Sequence, residues 1–295
     1  MQVELNGGRV LTLPDVHVMI EGVPNSGKTR FAASAEKPEL VLACDPISKM
    51  PAYFDRGTWD GKVYTGAQGQ PVWIITSRMT GQPIIQLEGY YDEDPELPTA
   101  MTSLLARMPS ISAEVKVGMW RTVVIDSWTQ LEWIARIRRT NGNFKTSNSP
   151  YLEAMDDLKS LVNSRLMNLR CNLIVIFHIE TKVVRNKQGT VVQDARMDVG
   201  GGEQSYTVQA IGQLKNLPNV FGECYLAIAP VDGSNNYVLQ TVRNADFRTL
   251  CSRIGAPNLC PNEWREIFTG YINAQAALPS AQPAPVTPQE EEAST

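Results

Sequence analysis

Residues 16–29 read Val16-His17-Val18-Met19-Ile20-Glu21-Gly22-Val23-Pro24-Asn25-Ser26-Gly27-Lys28-Thr29. A short apolar run, Val16–Ile20, enters a segment of the pattern G-x-x-x-x-G-K-[ST], and a helix-forming stretch, Thr29–Ala35, leaves it. Small residues let a backbone close around an anion, so that the N–H groups of Gly22–Lys28 can point inward. Lys28 supplies a point charge that reaches the β and γ oxygens of a triphosphate, and the Thr29 hydroxyl supplies a magnesium ligand. The start of the helix adds its positive dipole end. Gly22, Val23, Pro24, Asn25, Ser26, Gly27, Lys28 and Thr29 are therefore the nucleotide-binding candidates, with ATP and Mg²⁺ as expected cofactors. Strand before and helix after are the context that separates this motif from a glycine-rich turn.

Outward from the loop, the chain alternates buried strands and helices. Leu40–Cys44, Thr122–Asp126 and Asn172–Phe177 are continuous apolar runs, the signature of parallel strands covered on both faces. Helices are expected at about 128–139 and 151–169, with the polar segment Thr140–Pro150 between them. Val3–Leu13 reads as an N-terminal β-hairpin turning at Asn6-Gly7-Gly8. Residues 48–118 break the pattern with frequent Gly and Pro, short strands such as Val72–Thr76 and one helix at about 99–107, and read as an insertion beside the core. Lys182–Asp194 reads as a hairpin turning at 186–189. Glu223–Ala229 and Tyr237–Thr241 read as two strands at the sheet's edge, and 261–274 as a final helix. From Ala276 on, Ala, Pro, Gln and Glu dominate, so 276–295 is expected to be a disordered acidic tail after a core spanning 1–275.

The strand ends supply the other site candidates. Asp126 closes an apolar strand about a hundred residues after the loop, where a carboxylate can hold a magnesium-bound water. Thr29 and Asp126 are the metal candidates. Asp45, His178 and Glu180 are the catalytic candidates. Asp45 sits past the second core strand and His178 just past the Asn172–Phe177 run, where it can meet a γ-phosphate, with Glu180 as its rival.

Of the 295 residues, 43% are hydrophobic and 20% charged, enough for a sizeable core. The five cysteines show no Cys-x-x-Cys pair, which argues against a zinc site or disulfide framework and for reduced thiols. No apolar run reaches 18 residues and no signal-peptide pattern opens the chain, so a cytoplasmic location, without membrane contact, is expected. Net charge is −4, but residues 136–187 hold ten basic side chains against four acidic ones, a net +6. Such asymmetry can mark a polyanion-binding face or only a solvated surface.

Gly22–Thr29, Thr122–Asp126 with Ser127, and Leu173–His178 with Glu180-Thr181-Lys182, in this order, resemble the RecA-like ATPases. More closely the order resembles reduced, phage-encoded RecA-core proteins, including the Sak-type single-strand annealing ATPases. The resemblance implies an α/β fold, a RecA-like P-loop NTPase with a mainly parallel central sheet. It implies an ATPase stimulated by single-stranded DNA in phage recombination or replication, in the bacterial host cytoplasm. It further implies nucleotide sites between subunits of a homo-oligomer, and possible work beside a single-strand DNA-binding protein. By that analogy Thr140–Pro150 and Lys182–Ser205 are DNA loops, with Lys145, Lys182, Arg185, Lys187 and Arg196 as DNA-binding candidates. Phe144, Tyr151 and Tyr206 would supply base stacking. The recombinases carry a glutamate two residues beyond the position of Asp45, and this chain has Ile47 there, so slow hydrolysis is expected. No N-terminal filament-forming domain is expected, since about fifteen residues precede the core. Two other readings stay open: a P-loop small-molecule kinase whose acceptor pocket lies in 48–118, and a non-enzymatic, ATP-switched assembly protein.

Overall fold

Runs of five apolar residues need cover on both faces, and the fold supplies it by burying them in one sheet between two layers. The structure is a computed structural model. It describes residues 2–5, 10–94, 96–142, 148–180, 184–185, 191–193, 207–208, 221–230, 236–243 and 250–277, with backbone alone for 148–149, 180, 184–185, 191–193 and 207–208. In chain order come β1 (Gln2–Glu4), β2 (Val10–Thr12), β3 (His17–Gly22), α1 (Lys28–Ala33), β4 (Glu39–Ala43) and α2 (Pro51–Phe54). Then follow β5 (Thr58–Trp59), β6 (Tyr64–Thr65), β7 (Pro71–Thr76), β8 (Pro83–Gly89), α3 (Ala100–Lys116), β9 (Thr122–Asp126), α4 (Trp128–Thr140) and α5 (Asn148–Ser164). The rest are β10 (Asn172–Glu180), β11 (Val184–Arg185), β12 (Val191–Gln193), β13 (Thr207–Val208), β14 (Glu223–Ile228), β15 (Val238–Gln240), β16 (Cys251–Ser252), β17 (Leu259–Pro261) and α6 (Thr269–Ala276).

The main sheet runs β17-β15-β14-β3-β10-β9-β4-β8-β7-β5. From β14 to β8 every neighbouring pair is parallel. The phosphate-loop strand β3 lies inside it, between β10 (Ile176 opposite Ile20) and β14 (Tyr225 opposite Ile20). The outer strands β15, β17, β7 and β5 are antiparallel to their neighbours.

Side chains alternate between faces along each strand, and the two cores follow that period. Met19, Leu40, Leu42, Val123, Ile125, Val175 and Phe177 face α3, α4 and α5 through Leu104, Met108, Leu131, Ile134, Leu158 and Leu161. Val18, Ile20, Val41, Val124, Ile174 and Ile176 face the other way, against Phe31 and Ala32 of α1, Tyr53 of α2, and Trp264 and Phe268.

Residues 48–118 differ from their reading as a separate insertion. Ile85 to Gly89 of β8 pair parallel with Glu39 to Ala43 of β4, and α3 packs into the core with Met101, Leu104, Met108, Ile111 and Val115. The stretch thus continues the central sheet and its cover. Alternation hid β8: its buried Glu88 interrupts the apolar run because Arg107 of α3 meets it at 2.9 Å, with Glu114 at 2.6 Å on the same guanidinium. The helix expected at about 99–107 runs on to Lys116 as α3, past Pro109. Pro109 is on the exposed side, and the apolar stripe at three- and four-residue spacing holds the next two turns on the sheet.

At the other end, β14 is interior where an edge strand was expected, with β15 and β16 paired to it and β17 beyond β15. The expected final helix divides into a 3₁₀ turn, Trp264–Phe268, and α6. β1 and β2 form the N-terminal hairpin with Val3 opposite Leu11, and β11 pairs antiparallel with β12. The turns of both hairpins, and residues 278–295 of the expected tail, lie outside the described residues.

Candidate functional site

The loop between β3 and α1 closes tightly because two residues take left-handed backbone angles: Asn25 at φ 62° and Gly27 at φ 89°. A Cβ on Gly22 would meet Ser26 Oγ at 2.3 Å and the Ala227 carbonyl at 2.8 Å, so only glycine lets the loop fold against β14. Lys28 Nζ donates to the carbonyls of Gly22 at 2.7 Å and Val23 at 2.6 Å. Burial pulls its ammonium down to about 8, against the attraction of Asp126 and Asp45.

Asp126 ends β9 beside this loop. Its Oδ2 accepts from Thr29 Oγ1 at 3.0 Å and from Tyr53 Oη at 3.2 Å. Burial pushes its carboxyl up to about 6, opposed by the Thr29 hydrogen bond. A hydroxyl and a carboxylate in contact could give Mg²⁺ two oxygen ligands, since that ion favours one or two protein oxygens and completes its shell with phosphate and water. Among the described residues no cluster of three His, Cys, Asp or Glu side chains forms an all-protein metal cage. The donor set therefore fits a cation that arrives with a phosphate ligand.

Asp45, past the end of β4, gathers the remaining polar groups. Ser127 Oγ donates to its Oδ2 at 2.7 Å, His178 Nε2 lies 3.8 Å from the same oxygen, and Lys49 Nζ donates to Oδ1 at 3.2 Å. Burial alone would raise its carboxyl, but the nearby His178 and the bonds from Ser127 and Lys49 outweigh it and hold Asp45 at about 2. A carboxylate so acidic accepts a proton weakly near neutral pH. Its geometry suits orientation of His178 and Ser127. His178 is placed by its backbone N–H on Thr129 Oγ1 at 3.0 Å, and its Nδ1 is buried without a partner. Phosphate loop, Asp45, Asp126 and His178 thus converge on the carboxyl edge of parallel strands, where ligands of open α/β sheets bind.

Glu180 ends β10 in backbone only, opposite Thr207 of β13, and Arg185 lies in β11 in backbone only. Lys145, Lys182, Lys187 and Arg196, with Phe144 and Tyr206, lie outside the described residues. Within the +6 stretch, Arg138 and Arg139 pair with Asp157 at 3.1 and 2.6 Å, and Lys159 with Asp156 at 3.3 Å. Arg136 sits over the rings of Trp133 and Tyr151, 5.8 and 5.4 Å from their centroids. Part of the basic excess is thus spent inside the α4–α5 pair.

Three neighbours of the site carry no sequence signal. Tyr53 reaches Asp126 from a four-residue helix inside the stretch read as an insertion. Asn262 donates from Nδ2 to the Gly27 carbonyl at 2.9 Å across 235 residues of chain, and Tyr237 packs its ring on the same glycine. Lys49 alone was accessible to pattern, four residues after Asp45 in a polar turn.

The model of a family described as "AAA domain" matches residues 15–244. Among solved structures, the chain is similar to an ATPase from the type III secretion system of pathogenic bacteria, at 11% identity and a TM-score of 0.42. That match covers 72% of this chain and 52% of the other, so this chain spans about half the length of the structure it matches. No curated protein matches the sequence.

Proposed function

The chain belongs to the AAA-domain family, and from that premise we propose that it is a magnesium-dependent ATPase that acts on single-stranded DNA in recombination or replication. The observation that carries the ATPase reading is the 3.0 Å bond from Thr29 to Asp126, which joins the phosphate loop to the end of β9. Lys28, still mostly an ammonium near pH 7, neutralises β and γ oxygens. Thr29 and Asp126 would hold Mg²⁺, which would supply positive charge to offset the charge that develops on the phosphate oxygens. Asp45 keeps His178 turned toward the γ-phosphate end, so that hydrolysis depends more on positioning than on a strong base. The absence of a glutamate at Ile47 fits slow turnover.

The DNA part of the proposal is supported by the sequence: the basic excess in 136–187, the hairpin after β10, and the resemblance to phage annealing ATPases of the Sak type. Oligomeric assembly on DNA, with or without a single-strand DNA-binding protein, belongs to the same proposal. ATP hydrolysis measured with and without magnesium and a single-stranded oligonucleotide tests both parts. Magnesium-dependent turnover lost in Lys28→Ala supports the ATPase, and equal turnover in that variant removes it. Stimulation by the oligonucleotide supports the DNA role, and identical rates across a DNA titration remove it.

A second reading, a P-loop phosphotransferase, has one observation in its favour. A cavity of about 770 Å³ lies between the carboxyl end of β8 and the first turn of α3, lined by Gln70, Tyr90, Asp92, Thr99 and Ser103 among others. Its place two strands from Asp126 would suit an acceptor. Label moving from γ-³²P-ATP to a nucleoside or nucleotide acceptor, with no phosphate released to water, would favour this reading.

A further inference from the structure

We propose that Asn262 is a positioning residue of the nucleotide site, fixing the peptide between Gly27 and Lys28 so that its N–H faces the phosphates. The inference rests on the nucleotide-site reading above and adds to it a residue beyond the matched family segment, which ends at 244.

Asn262 is 2% exposed, and its Nδ2 donates to the Gly27 carbonyl at 2.9 Å. The same carbonyl accepts the Phe31 N–H at 2.9 Å, the first bond of α1. Two donors on one carbonyl oxygen leave its peptide plane little freedom. In a planar trans peptide the carbonyl and the next N–H point opposite ways. Pinning Gly27 O on the outer side therefore turns Lys28 N–H to the inner side, where loop amides meet an anion.

Asn262 is itself held. Its backbone N–H donates to the Tyr237 carbonyl at 3.0 Å, and Tyr237 presses on Gly27 so closely that a Cβ there would lie 2.7 Å from its ring. The following residues continue along α1: Glu263 meets Arg30 at 3.7 Å, and Trp264 N–H donates to Ser34 Oγ at 2.7 Å. One short segment thus touches the beginning, middle and end of the helix.

A cost accompanies the arrangement. Asn262 Oδ1 is buried with no hydrogen-bond partner. An unsatisfied buried acceptor is unfavourable and calls for an explanation. A leucine of nearly the same shape would avoid that cost, but it would leave Gly27 O with Phe31 alone. The amide is explained by the donor it supplies to the loop.

The test compares wild type with two near-isosteric variants at pH 8: Asn262→Leu, which lacks the donor, and Asn262→Asp, which lacks it when ionised. Affinity for a fluorescent ATP analogue, KM and kcat for ATP, melting temperature, and hydrogen exchange at Lys28 and Phe31 without nucleotide are measured. Both variants should bind about tenfold more weakly, the loss expected for one hydrogen bond to a carbonyl. KM should rise while kcat stays within about twofold, because the loop contacts ground and transition states alike. Exchange at Lys28 should quicken while the melting temperature of Asn262→Leu holds within about 2 °C. Wild-type affinity and exchange in Asn262→Leu would overturn the proposal. So would an affinity loss matched by a lower melting temperature and faster exchange throughout the sheet, the mark of a purely structural role. Should wild type itself bind no ATP, the nucleotide reading fails, and exchange at Lys28 and Phe31 still decides whether Asn262 orders the loop.

Discussion

At Asp126, stability and chemistry are opposed. Its carboxyl sits at about 6 in the folded protein against an ordinary 3.8 because burial disfavours the charge. Below pH 3.8 the group is neutral in both states. Between 3.8 and about 6 the unfolded chain ionises first, so this group's contribution to stability falls as pH rises through that window. The difference is worth on the order of 3 kcal/mol. Asp126→Asn, which can still accept from Thr29 and Tyr53, should therefore melt at higher temperature than wild type at pH 7 without nucleotide. The same variant should lose most magnesium-dependent turnover. A variant no more stable than wild type would refute the burial argument. If Asp126 holds the metal as proposed, a proton there competes with it, and magnesium-dependent ATP binding should weaken as pH falls through about 6. A titration from pH 8 to pH 5, in which Asp126→Asn lacks the component near 6, checks this. Asp45 has the opposite sign. Its carboxyl lies at about 2, so its contribution is present above pH 3.8 and is lost as pH falls toward 2.

At the scale of elements, the pairing of α3 with β8 is the most exposed to a single change. Arg107 is 9% exposed and lies against Glu88, which is 1% exposed. Burial would raise the Glu88 carboxyl, yet the bonds from Arg107 and Tyr90 hold it below its ordinary value. Arg107→Met leaves that carboxylate buried and uncompensated, a loss of roughly 3–5 kcal/mol. The melting temperature should drop by roughly 6–15 °C, while ATP affinity measured well below the transition stays near wild type. Unchanged melting would mean that Glu88 is neutral or finds another donor. The same pair shows where sequence pattern stops. β3, β4, β9 and β10 were legible because their apolar runs are continuous, and Asp126 and His178 because they end such runs. β8 was not, since its buried charge is balanced by a helix residue 19 positions away. Asn262 and Tyr53 were invisible for the same reason: each acts through a contact that no local pattern encodes.

For the whole molecule, the carboxyl-terminal part divides into two pieces of different weight. Residues 278–295 are rich in Pro, Gln, Glu and Ala and carry few large apolar side chains. Residues 259–277 carry Trp264, Ile267 and Phe268, each at most 2% exposed in the core that covers α1. Deleting 278–295 should leave melting temperature and ATP affinity unchanged. Deleting 259–295 should abolish both cooperative melting and ATP binding. Circular dichroism melts and nucleotide binding on the two truncations decide it, and a stable, nucleotide-binding product of the longer deletion would contradict this division.

The position of β3 between β10 and β14 has a consequence for the timing of synthesis. The strand is made well before both of its partners, since the nearer begins at Asn172 and the second at Glu223. At ordinary elongation rates of about 5–20 residues per second, the first partner follows after roughly 10–30 s. Through that interval β4, β8 and β9 can pair with one another while the apolar run of β3 waits uncovered. A nascent chain stalled near residue 170 should therefore need a chaperone to stay soluble, and added ATP should not relieve that need, because neither strand that flanks β3 has yet been made.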